Sequence, residues 1–96
     1  MILHAFLFQW KPDTTEADKL RAAESIRALQ GKIPGLLETN YDANCSPRSQ
    51  GFTHGGVMKF RDAAALQEYF IHPVHRELVD WLMPLLALAA ELDYEL

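Results

Sequence analysis

The stretch Ile2-Leu3-His4-Ala5-Phe6-Leu7-Phe8-Gln9-Trp10 decides the fold. His4 and Gln9 are its clearly polar members, and Leu or Phe fills most of the rest. Such a run reads as a strand apolar on both faces. Lys11-Pro12-Asp13 closes it. At 96 residues the chain is expected to be one domain, residues 1–96. A domain of this size can lay helices over one face of such a strand. The other face, carrying Leu3, Ala5 and Leu7, needs a second layer from elsewhere.

Outward from that strand, Thr15 with Asp18 three residues later forms a capping-box pattern, so a helix begins near Thr15. Ala17, Leu20, Ala23, Ile26 and Leu29 give it an apolar stripe, and Gly31 stops it. Ile33-Pro34-Gly35 is a turn. Leu36 to Asn44 reads as a second strand, with Leu37, Thr39 and Tyr41 on one face and Glu38, Asn40 and Asp42 on the other. A polar loop follows. Phe52 to Phe60 is a third strand, with Phe52, His54, Gly56, Met58 and Phe60 sharing a face. Gly55-Gly56 offers bare backbone that a neighbouring group can approach closely. Asp62 caps a short helix through Ala63, Leu66 and Tyr69, which ends by His72 because the residue before a proline disfavours helical geometry. Pro73 suits the first position of another helix, running to about Leu88 with a kink or break near Pro84. Ala90 to Leu96 is the last strand, with Leu92, Tyr94 and Leu96 on one side; Glu91, Asp93 and Glu95 on the other form a solvated edge or complement a basic residue across a dimer. The order β-α-β-β-α-β predicts an α+β, ferredoxin-like split βαβ: a four-stranded antiparallel sheet with helices on one face. A second copy packed sheet to sheet is the simplest cover for the open face, so a homodimer is expected.

Composition narrows the function. The 49% hydrophobic and 23% charged content is that of an ordinary globular protein. Net charge is -4 and the basic residues are scattered, which argues against nucleic acid and anionic membranes as partners. The run Trp81 to Leu92 is too short to span a bilayer and contains Pro84. Cys45 is the only cysteine; no internal disulfide can form, and a cytoplasmic location is expected.

The chemistry sits in Tyr69-Phe70-Ile71-His72-Pro73-Val74-His75, which puts a phenol and two imidazoles around a helix start. His75 falls in the first turn after Pro73, where free N–H groups and the helix dipole disfavour a charged imidazole, leaving a neutral base. Tyr69 could donate a hydrogen bond to an enolate or carbonyl oxygen. Isolated histidines on apolar strand faces, such as His4 and His54, are more often hydrogen-bonded core residues than ligands. Their presence on two neighbouring strands favours a shared pocket. His72 fixes the turn before Pro73. His72-x-x-His75 lacks the spacing and single helical face of a zinc motif, so no metal and no cofactor are expected.

Five features together resemble the stress-responsive α/β-barrel (Dabb, dimeric α/β-barrel) family. They are His4 followed by an apolar run, Ile33-Pro34-Gly35, Phe52-Thr53-His54, Leu66-x-x-Tyr69-x-x-His72-Pro73-x-His75, and Asp93-Tyr94. The resemblance implies a homodimer whose two sheets face each other as a barrel. Members include a plant polyketide cyclase that closes a ring by cofactor-free aldol chemistry. By that likeness Tyr69 and His75 are the catalytic pair, and His4, His54, Phe6 and Ile26 hold a small apolar or phenolic substrate. Two other readings stay open: a non-catalytic stress-responsive or ligand-binding protein, and a cofactor-free monooxygenase of the antibiotic-biosynthesis type.

Overall fold

The computed structural model describes residues 1–96. Strand β1 (Ile2–Trp10) is followed by α1 (Glu16–Arg27), β2 (Leu36–Ala43), β3 (His54–Phe60), α2 (Ala63–Ile71) and α3 (Pro73–Leu82). A 3-10 turn (Met83–Leu85) then leads into β4 (Leu86–Glu95). The strands form one sheet in the order β2-β3-β1-β4, with antiparallel neighbours throughout. This is the four-stranded ferredoxin-like sheet that the order of elements predicts, with its helices on one face. No helix is long and apolar enough to cross a membrane.

The helix starts form where capping chemistry dictates. Thr15 Oγ1 accepts from Asp18 N–H while the Asp18 carboxylate accepts from Thr15 N–H, closing the capping box. Asp62 Oδ1 accepts from Ala65 N–H at 2.8 Å. His72 serves as C-cap of α2 and N-cap of α3, and its Nδ1 accepts from Val74 N–H at 3.1 Å. The helices bend at that point because His72 takes extended geometry before Pro73.

Three sequence expectations need correction. The α1 stripe is not Ala17-Leu20-Ala23-Ile26-Leu29: Ala22, Ile26 and Leu29 are buried, while Ala17 is exposed and Leu20 is 59% exposed. Steps of three residues lag the helical repeat by about 60° each, so a long i+3 series winds off the face that meets the sheet. On β2 the register slips between Leu36 and Glu38, which turns Leu36 into the core and leaves Leu37 51% exposed. Finally, α3 ends at Leu82 and β4 begins at Leu86, not Ala90. Pro84 removes a helical donor, and the run Leu86-Ala-Leu-Ala-Ala then pairs with β1 from Trp10 to Leu7. Sheet pairing overrides the helix propensity of alanine and leucine there.

Ile2, Phe6, Phe8 and Trp10 of β1 enter the core beneath the helices, with Met58, Phe60, Leu66 and Leu78. Gly56 is required for this packing: a Cβ there would lie 2.5 Å from the Phe6 ring. The opposite sheet face is open. Leu3 stands beside Tyr94, Ala5 beside Leu92 and Val57, and Leu7 beside Ala90. Leu92 is 58% exposed, and a groove of about 620 Å³ runs along this face past Ala5, Gly55 and Val57.

Candidate active site

A second cavity, of about 350 Å³, opens between the sheet and the helices. Its walls are mostly apolar: Phe6 and Phe8 from β1, Ile26 from α1, Met58 from β3, and Leu78, Val79 and Leu82 from α3. Its polar groups are His4, Tyr69, His75 and Glu91. The fold thus brings five of the sequence-nominated site residues, His4, Phe6, Ile26, Tyr69 and His75, around one space. It leaves His54 outside that lining.

His75 is positioned by the bend at His72-Pro73. Its Nδ1 faces the Phe70 carbonyl at 3.3 Å. A carbonyl can only accept, so Nδ1 carries the hydrogen and Nε2 keeps a free lone pair. Burial holds the imidazole below its ordinary pKa, opposed by the bond to Phe70 and helped by the nearby His4 and Arg76. Burial, rather than the helix start alone, favours the neutral form of this imidazole. The Tyr69 ring packs on it with centroids 4.1 Å apart. Burial, reinforced by the Glu91 carboxylate, pushes the Tyr69 phenol well above its usual range, so it remains a protonated donor.

His4, on the central strand, is 3% exposed and packed among the rings of Phe6, Phe60, Tyr69 and Phe70. Its Nδ1–H donates to Asp93 Oδ1 at 2.5 Å, which fixes ring orientation and tautomer. Sequence reasoning placed Asp93 and Glu91 on a solvated edge. Both are indeed exposed on the edge strand β4, but the β1–β4 register also sets Asp93 opposite His4 and Glu91 opposite Phe6, on the side of the helices. The available clue was their alternation in the last strand; what it lacked was which strand would be the neighbour and in what register.

His54 belongs to a separate cluster. Trp10 Nε1–H donates to its Nδ1 at 2.9 Å, Thr53 Oγ1 lies 3.0 Å from the same atom, and the ring stacks on Tyr41. An indole nitrogen can only donate, so His54 Nδ1 is an acceptor and the ring is neutral. Burial lowers its pKa, with Lys19 adding to the effect. No cluster of His, Cys, Asp and Glu gathers as a metal-ligand set.

The sequence matches the profile of the stress responsive A/B barrel domain, Dabb, over residues 2–96. The chain belongs to that family. A Dabb protein from Mesorhizobium loti with a ferredoxin-like fold superposes with a TM-score of 0.85 at 26% identity, covering 99% of this chain and 95% of that one. A protein of Arabidopsis thaliana superposes with a TM-score of 0.91 at 21% identity, covering 100% and 95%. A hydroxynitrile lyase from Passiflora edulis does so with a TM-score of 0.89 at 21% identity, covering 97% and 90%. A structure from Thermobifida fusca, described as a dimeric ferredoxin-like protein of unknown function, has a TM-score of 0.87 at 22% identity, covering 99% and 90%. No functionally curated protein matches the sequence.

Proposed function

We propose that this Dabb protein is a cytoplasmic, single-domain homodimer whose inner cavity performs cofactor-free acid/base chemistry on a small carbonyl compound. The convergence of His75 and Tyr69 on one mostly apolar space carries the reading. His75 Nε2 takes a proton from the carbon beside a carbonyl, and the electron pair moves onto the carbonyl oxygen. The Tyr69 hydroxyl donates a hydrogen bond to that oxyanion without giving up its proton. The carbanionic carbon then attacks a second carbonyl, and the protonated His75 returns its proton to the new alkoxide. A reverse, lyase-type step uses the same groups, and the fold likeness to a hydroxynitrile lyase supports it. His4, held by Asp93, orients the ligand oxygen, and Phe6 and Ile26 supply apolar contact.

The homodimer reading rests on the open sheet face, where Leu88, Leu92, Tyr94 and Val57 lie exposed together. Neighbours in fold from Thermobifida fusca, Jannaschia and Bacteroides fragilis are described as dimeric. The exposed Cys45 thiol fits a reducing compartment.

A thermal-shift screen of aldehydes, phenolic acids and β-polyketo acids tests the site, run on wild type beside His75→Ala and Tyr69→Phe. A compound that stabilises wild type but neither variant supports the reading and directs the search for turnover. If the variants respond like wild type, the pair is structural and the non-catalytic alternative leads.

A further inference from the structure

The charge of the cavity narrows its ligand class, an inference that rests on the cavity being the ligand site. Its polar lining is His4, Tyr69, His75 and Glu91, with no lysine or arginine. Glu91 stands opposite Phe6 on the side of β4 that faces the helices, two residues from Asp93, and is itself exposed at the cavity's edge. The Glu91 carboxylate takes part in none of the ion pairs or side-chain hydrogen bonds that tie up other acidic groups, such as Asp93 with His4 and Glu38 with Lys59. Its field reaches the Tyr69 phenol. Arg76, the cation beside His75, is exposed and outside the lining.

We infer that the cavity selects uncharged carbonyl compounds over carboxylates, and that Glu91 sets this preference. A ligand carboxylate entering would shed hydration, find no cation, and face the like charge of Glu91 at the mouth. A neutral carbonyl meets none of these costs: it takes the Tyr69 hydrogen bond and lays its apolar part against Phe6, Phe8 and Leu78. Glu91 is therefore a specificity residue, separate from the proton-transferring pair.

The test compares two probes of nearly the same shape, para-nitrobenzaldehyde and para-carboxybenzaldehyde, each small enough for a cavity of about 350 Å³. Binding is measured by NMR titration at pH 7 on wild type, Glu91→Gln and Glu91→Lys. Wild type is expected to bind the nitro compound about tenfold more tightly, from like charges several ångströms apart in partly screened surroundings. Glu91→Gln should lower that ratio, leaving the share due to carboxylate desolvation; Glu91→Lys should level or reverse it; and high salt should shrink it in wild type but not in Glu91→Gln. Equal wild-type affinities, or an unchanged ratio in Glu91→Gln, would overturn the inference while leaving the cavity a ligand site. If neither probe binds wild type, the reading of the cavity as an aldehyde site falls, and the inference with it.

Discussion

Replacing Tyr41 with Phe should stabilise the protein. Tyr41 is 5% exposed, and its hydroxyl is the one sealed side-chain polar atom with no hydrogen-bond partner. Burying a hydroxyl unpaired costs about 1–3 kcal/mol. The ring's contacts, to Phe6, Phe8 and His54 at centroid distances of 6.0, 6.1 and 6.2 Å, do not involve the oxygen. Losing one oxygen's volume, roughly 10 Å³, gives back only about 0.2 kcal/mol as a cavity term. The net gain is about 1 kcal/mol or more, and about 4–8 °C in Tm per kcal/mol for a domain of this size. Thermal and urea unfolding followed by circular dichroism measure it, at matched protein concentration because the stability of a self-associating protein depends on concentration. A second readout comes from alkaline pH. Burial pushes the Tyr41 phenol up from 10.0 to about 12. Below pH 10 it is protonated in both states; between pH 10 and 12 the unfolded chain ionises and the folded one does not, so Tyr41 drains stability as pH rises. Phe cannot, so the advantage of Tyr41→Phe should widen across that window. A fall in Tm at neutral pH, or an advantage that does not widen, would refute the reasoning and reveal a partner for the hydroxyl.

Three further outcomes follow from the geometry. His54 and His75 both have pKa values lowered by burial, so their contribution is fully present above the unfolded value near 6.5 and is lost as pH falls toward their folded values. Denaturation midpoints should drop on acidification through that range, and His54→Gln should flatten part of the drop. Asp93→Ala leaves the buried His4 N–H unpaired and should cost about 1–3 kcal/mol in urea unfolding, whereas Asp93→Asn keeps an acceptor and should cost about half as much. Gly56→Ala drives a methyl group into the Phe6 ring and the Asn40 carbonyl, each 2.5 Å from the added Cβ, and should cost about 1–3 kcal/mol. Adding Phe6→Leu should recover part of that loss by giving the methyl room, a non-additivity that a double-mutant cycle reads directly.

Much of this protein was legible in the chain because it is local. The two helix starts are written in Thr15-x-x-Asp18 and Asp62, the helix break in His72-Pro73, and the doubly apolar β1 in its own composition. These need only neighbours a few residues away, and the structure forms them where the residues prescribe. The order of strands and helices followed from them. Apart from the α1 stripe, which an i+3 series misplaces on the helix itself, what failed depended on a distant partner. The Leu36 bulge inverts the face of Leu37, and the Leu86-Ala-Leu-Ala-Ala run becomes strand because β1 offers unpaired backbone groups beside it. The same pairing decides the site. His4 and Asp93 are 89 residues apart in sequence, and only the β1–β4 register sets one against the other and turns Glu91 toward the cavity. His54 shares its strand face with Met58, yet Trp10, with its indole hydrogen to place, captures it outside the cavity. Sequence alone determined the candidate residue types and their local geometry around Pro73. Tertiary structure chose which of them share a space, because strand register, unlike helix capping, is a long-range quantity.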